Sequence, residues 1–273
     1  MNMLNKLKIT FVLICFFCQS AHATWWISEM EGKCTVQRGE EVLSPALLMP
    51  LHSGDEIHLT EKSRLVVVQD DNSEKSLGVA DSPFIVPKTS EPPTWLGNLY
   101  KTLHTWLLTK VEGKHATVAM VSRGDDEPRF SGVSGENYIL PRQTQLTLHW
   151  ENGIAPYHLS LWDNKNTLLA ERNSTGLRAN LTLPELTDGI YRLSIQDADE
   201  QHHDIRLRIK PLPEDVQMIQ DSNMPDAVKQ RYIALLLAKK GAIWGLQAQQ
   251  GVLGDDGLLG VVLRGEIPEI GHD

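Results

Sequence analysis

Cysteine is nearly absent: the 273 residues hold three, and two of them, Cys15 and Cys18, fall within the first 23. Cys34 is left alone, so the fold cannot rest on an internal disulfide and must rest on packing. Nothing near it reads as a base or a metal-ligand partner, which makes it an inert, half-buried strand residue. Basic residues are also short, with 26 Lys and Arg against 35 Asp and Glu and a net charge of −9. That balance excludes capture of nucleic acid or anionic lipid by bulk charge. Long apolar runs are missing as well. Ile9 to Phe17 is far under the roughly 20 residues that a membrane-crossing helix needs, and no later stretch approaches that length. Signatures of catalysis do not occur: there is no Gly-x-Ser-x-Gly, no His-Glu-x-x-His, no phosphate loop and no Cys/His nucleophile pair. No enzyme, cofactor or metal site is expected.

What is present begins with an export pattern. Lys6 and Lys8 precede the apolar run, and Ser20-Ala-His-Ala23 ends in the small-x-small form that signal peptidase accepts, so residues 1–23 read as a leader and the mature chain as starting at Thr24. Its removal leaves 24 basic residues against 35 acidic ones, a balance of −11. The expected location is the periplasm. A hydrophobic fraction of 41% is enough for real cores, and the length allows one large or two small domains.

Residues 24–88 alternate in short segments separated by Gly, Asp, Ser and Pro, which predicts strands. Arg38-Gly39-Glu40 is a turn, Gly54-Asp55 precedes the alternating Ile57 and Leu59, and Ser63 to Gln69 is a β-branched run expected to be buried on both faces. Asp70-Asp71-Asn72-Ser73 closes a hairpin. A strand near Gly32 to Val36, an Arg-Gly turn, Leu51-x-x-Gly54-Asp55-x-Ile57, a Ser-x-Leu-Val-Val strand and an acidic turn together resemble the FecR-like domain of bacterial exported and signalling proteins. The resemblance covers about sixty residues and implies a small all-β unit outside the cytoplasm, with Gly54 and Asp55 structural and no catalysis.

Residues 89–113 read as a linker with an amphipathic helix capped by Thr94, on which Trp95, Leu96, Leu99, Leu103, Trp106 and Leu107 recur at helical spacing. Its polar face lacks the Lys/Arg enrichment of membrane-surface helices, so it is expected to pack within the chain. Ala116 to Ser122 reads as a strand. Residues 114–211 carry about seven strands from Asn137 to Lys210 at the spacing of a β-sandwich. Leu146, Leu148 and Trp150 share one face, Tyr157, Leu159 and Leu161 another, and Glu151-Asn-Gly153 with Pro156 suggests a hairpin between them. Leu186-Thr-Asp-Gly189-Ile-Tyr191-Arg-Leu193 looks like the tyrosine corner of Greek-key sandwiches, and the domain resembles an immunoglobulin-like or fibronectin-like module with Trp150 as its core aromatic. His202-His203-Asp204 is read as a polar turn and not as a metal site, because adjacent strand residues point to opposite faces.

In residues 212–268 the hydrophobic period lengthens to about 3.6, predicting a helical hairpin opened by Pro225 and broken at Gly241, then a short third helix. The fold class is therefore mainly β: a small β domain, a β-sandwich and a C-terminal helical hairpin. The leading functional reading is a non-enzymatic envelope protein that presents surfaces to a protein partner, with Trp244, Leu235 and Leu236 of the hairpin as candidate interface. The alternative is a module binding carbohydrate or peptidoglycan through Trp25, Trp26 or Trp162.

Overall fold

The computed structural model describes residues 24–88, 91–117, 126–252 and 258–264. The chain divides into two compact units, one running through Gly97 and one from Asn98 onward.

The first unit is two four-stranded antiparallel sheets. One has the order β4-β1-β6-β7, from Pro50–Leu51, Trp25–Glu31, Arg64–Gln69 and Glu74–Leu77; the other has the order β3-β2-β5-β8, from Glu41–Leu43, Cys34–Arg38, Glu56–Leu59 and Phe84–Ile85. Leu65 to Val68 are all buried, as a β-branched run in a central strand requires. The chain passes between the sheets five times, and two of these crossings, β1 to β2 and β5 to β6, meet. Ser63 Oγ donates to the Lys33 carbonyl at 2.7 Å and accepts the Lys33 N–H at 2.9 Å. Gly32 has φ +73°, and a Cβ there would lie 2.9 Å from the Ser63 Cα, so only glycine lets the crossings approach.

The Gly-Asp motif owes its residues to a buried charge. Asp55, 1% exposed, takes two hydrogen bonds from the Arg38 guanidinium, at 2.9 and 2.7 Å, and a third from the His52 N–H at 2.8 Å. Arg38 also donates to the Pro50 carbonyl. A bidentate pair with its remaining lone pairs satisfied is what makes a carboxylate tolerable in such a position. Gly54, at φ +82°, turns the chain so that Asp55 enters the core.

The boundary between the units falls within the first turns of α1 (Thr94–Thr117), whose Leu103 and Leu107, in the second unit, are buried. Ala116 and Thr117 end this helix, which corrects the start of the strand expected from Ala116 to Ser122: both residues continue the turns that precede them. The rest of that segment lies outside the described residues, as do residues 1–23 and Arg123-Gly-Asp125. The sandwich follows. A five-stranded sheet has the order β10-β16-β15-β12-β13, from Glu136–Ile139, His202–Ile209, Ile190–Gln196, Tyr157–Trp162 and Leu168–Ser174; facing it is β14-β11-β9, from Arg178–Thr182, Gln145–Glu151 and Arg129–Phe130. Strand β10 runs parallel to the last strand, while the other pairs are antiparallel. That order defines an immunoglobulin-like sandwich whose first strand is split between the sheets.

One expectation is corrected here. β11 and β12 do not form a hairpin; they belong to opposite sheets, and the connection is an arch over the end of the sandwich. The two apolar faces were read correctly, since Leu146, Leu148 and Trp150 and Tyr157, Leu159 and Leu161 are all buried in one core. Alternation shows that a face is buried, and it is equally satisfied by a partner beside the strand or across the core. Likewise His202 to Asp204 open β16 instead of forming a turn.

Trp150 is 2% exposed and meets Tyr157 edge-on at 5.3 Å, and the Tyr157 hydroxyl donates to the Gly153 carbonyl at 2.9 Å, fixing the arch. Trp150→Ala is expected to cost about 3–5 kcal/mol in chemical denaturation, as large aromatic truncations in cores do. A variant with the parent's midpoint would place Trp150 outside the core's energetics.

Candidate functional site

The helical tail consists of α2 (Glu214–Gln220), which the sequence reading missed, α3 (Asp226–Lys239), α4 (Gly245–Gln250) and α5 (Leu258–Leu263). Asp226 in the first turn and Lys239 in the last suit the α3 macrodipole, and Gly241, at φ +117°, ends it. Every residue from Tyr232 to Leu237 is buried, so α3 is covered on nearly all sides. Tyr232 lies near Tyr100 of α1, and burial drives its hydroxyl pKa far up, keeping it neutral.

The tail is fastened where the sandwich has an open edge. After Phe130 and Ser131 pair with β11, the chain turns at Gly132 and leaves to join β16. The peptide of Thr147, two residues along the same edge of β11, is thereby left without a strand. Gln250 takes the strand's place: its Oε1 accepts the Thr147 N–H at 2.9 Å and its Nε2 donates to the Thr147 carbonyl at 3.0 Å. Gln247 Oε1 accepts the Leu140 N–H at 3.2 Å. Gln249 Nε2 donates to the Ser131 carbonyl at 2.7 Å and to that of Leu263 at 3.2 Å, tying α5 to the same place. The Leu246 N–H donates to Asn137 Oδ1, and the Leu246 side chain joins the sandwich core. Gly132 admits α5 to this corner, since a Cβ there would lie 2.7 Å from the Arg264 carbonyl oxygen.

The three candidate interface residues therefore lie inside the unit. Leu235, Leu236 and Trp244 are 4, 8 and 7% exposed, and Trp244 meets Tyr138 of β10 edge-on at 5.1 Å. None offers an apolar face to a partner. Tyr191 is 7% exposed; its hydroxyl donates to the Thr187 carbonyl at 2.7 Å and accepts the Thr187 N–H at 3.1 Å, the geometry of a tyrosine corner. Trp25 and Trp26, at 7 and 2%, are core residues, which leaves Trp162, half-buried, as the one of the three glycan candidates not fully buried.

Trp162 lies on the outer face of the five-stranded sheet. That face carries ion pairs between Arg208 and Glu136 at 3.0 Å and between Arg192 and Asp204 at 3.6 Å, and His158 Nε2 lies 3.7 Å from the Glu171 carboxylate. The Arg192 guanidinium lies 5.5 Å over the Trp162 ring. A cleft of about 500 Å³ opens there, lined by Arg192, Asp204, Arg206, Asp163, Asn164 and Asn166 among others. Arg206 stands directly opposite Arg192 in the ladder, and no ion pair of its own is found among the described residues. Hydrogen bonds from the Thr167 and Lys165 N–H groups hold the Asp163 carboxyl below the usual range and shape the loop at the rim. No group of three or more His, Cys, Asp or Glu side chains converges as a metal site among the described residues. Cys34 is half-buried, and burial raises its thiol pKa.

No protein-family profile and no curated protein matches the chain. Among solved structures it is similar to CopC from Methylosinus trichosporium OB3b, at 18% identity over 30% of this chain and 89% of that one with a TM-score of 0.25. A chain of the complex of Dpr1 IG1 bound to DIP-eta IG1 gives 17%, 31%, 96% and 0.23. The BSP domain of a biofilm-associated protein gives 8%, 70%, 45% and 0.26. Scores this low carry no argument, and the sandwich is identified from its own strand order and tyrosine corner. No described helix is long and apolar enough to cross a membrane.

Two variants probe this geometry. Gln250→Ala leaves the Thr147 N–H and carbonyl without partners and should destabilise the second unit by about 1–3 kcal/mol, read by urea denaturation. His203 accepts the Phe130 N–H through Nδ1 at 3.4 Å, and burial, reinforced by the Arg129 charge, lowers its pKa. Its folded pKa lies below the unfolded value of about 6.5, so this stability is complete above that pH and is lost as pH falls through the folded value. Melting temperatures from pH 7.5 to 4.5 should fall more steeply in the parent than in His203→Gln.

Proposed function

We propose that this is an exported, non-enzymatic interaction module of the bacterial envelope, with a FecR-like first unit and an immunoglobulin-like sandwich that docks a protein partner. The observation that supports this reading most is the distribution of apolar surface. Both β units bury most of their large apolar side chains in their cores and the tail buries most of its own, with scattered exceptions such as Val42, Ile85 and Met218. What remains is a polar sheet face patterned with arginines and acids, the composition of a non-obligate docking surface more than of a permanent one. The export pattern of residues 1–23 supports a periplasmic location, and removal of those residues would take the net charge from −9 to −11. A photo-crosslinking residue at Ser194, in the middle of that face, should capture a discrete protein in the envelope, whereas the same residue at Arg178, on the opposite sheet, should not. Equal capture from both positions would contradict the assignment.

The cleft beside Arg206 favours a second reading, a carboxylate-bearing saccharide. Its volume is within the range of small-ligand sites, and its guanidinium and amide groups suit a carboxylate and hydroxyls. A hexuronate oligomer should then bind the parent at least ten-fold tighter than Arg206→Gln in calorimetry, with the neutral hexose oligomer as control. Identical titrations for the two proteins would remove this reading.

A further inference from the structure

Thr24 is the first described residue, and it is 6% exposed. The ladder between β1 and β6 pairs Trp26 with Val68 and Trp25 with Gln69, so the register carries Thr24 to a position opposite Asp70. There the Thr24 backbone nitrogen lies 2.8 Å from Asp70 Oδ2. Trp25 and Trp26, both buried in the middle of their sheet, fix the strand that delivers it. Asp70 is half-buried and no Lys or Arg pairs with it among the described residues. Burial raises its pKa, the Thr24 N–H opposes that, and the neighbouring Asp71 adds to the rise. Asp71 is already used, accepting the Ser73 N–H at 2.9 Å in the turn. Among the described residues, the hydrogen bond that Asp70 accepts comes from the backbone nitrogen where a leader would be cut.

We propose that cleavage after Ala23 completes an ion pair built into the fold, between the new α-ammonium of Thr24 and the Asp70 carboxylate. The inference rests on the export reading above. A signal peptidase breaks the Ala23–Thr24 peptide bond with water, so that Ala23 keeps the carboxylate and the Thr24 nitrogen takes the proton. A neutral amide donor thereby becomes a cation with three N–H bonds at the same distance. An α-amino group, with an ordinary pKa of about 7.7–8.0, is mostly protonated at neutral pH. The hydrogen bond becomes charge-assisted, and the half-buried carboxylate gains the counter-ion that no described Lys or Arg gives it. A chain starting two residues earlier, at His22, keeps the Thr24 nitrogen as a neutral amide and carries its charge on another residue.

The test compares the full chain starting at Thr24, released from a fusion that leaves no extra residue, with the same chain starting at His22, each with and without Asp70→Asn. The Thr24 form should melt about 4–8 °C higher in its first unit, and Asp70→Asn should close the gap. A gap that survives Asp70→Asn, or no gap in the parent, overturns the ion pair. Should Asp70→Asn fail to fold, titration of the isotopically dimethylated α-amine decides: a pKa clearly above that of a model peptide supports the pair, and a value equal to it or lower overturns it. Mass spectrometry of the protein from its source separates the two layers. An N-terminus other than Thr24 overturns the export reading together with the pair, whereas Thr24 without a stability gap overturns the pair alone.

Discussion

A sandwich that splits its first strand between two sheets uncovers part of an edge, and the Thr147 peptide is where this chain meets that problem. An unpaired backbone N–H and carbonyl under a layer of protein is costly, and an open edge invites another chain. A side-chain amide has the same donor and acceptor as a peptide bond, at a similar spacing. Gln250 presents that amide in register, while Gln247 accepts the Leu140 N–H and Gln249 donates to the Ser131 carbonyl, each supplying one half of such a pair. Other features of the second unit follow from it. Leu246 can enter the sandwich core, Gly132 must lack a side chain, and α3 is buried because it backs the helix that carries the glutamines.

The tail is thus built as a part of the sandwich. Short helices have apolar stripes to bury, and a partner chain is one way to bury them. Here the same chain does so, with Trp244 against Tyr138 and the run from Tyr232 to Leu237 enclosed. The outer face of the five-stranded sheet, by contrast, carries arginines and acids.

Much of the fold was legible in the sequence, because alternation and turn residues report local geometry. The tyrosine corner around Tyr191, the doubly buried strand from Leu65 to Val68 and the turns at Gly39 and Gly54 each declare themselves within a few residues. What could not be read is how distant segments meet. Leu146 to Trp150 and Tyr157 to Leu161 show the same alternation whether they pair side by side or face each other, and only the full strand order decides. The glutamine clamp was invisible for a related reason: Gln247, Gln249 and Gln250 look like the solvated face of a short helix until the edge they meet, more than a hundred residues earlier, is known. Asp55 was recognised as structural through its Gly-Asp turn, yet its partner Arg38 was seen only as half of another turn.

Native-state hydrogen exchange at the Thr147 amide tests the central claim most directly. If Gln250 stands in for a strand, that amide opens only when the unit unfolds, and its protection should match that of core amides such as Leu159 and Leu193. Exchange orders of magnitude faster than those amides, at the rate of a frayed edge, would show that the tail rests loosely on the sandwich and that the clamp does not hold it.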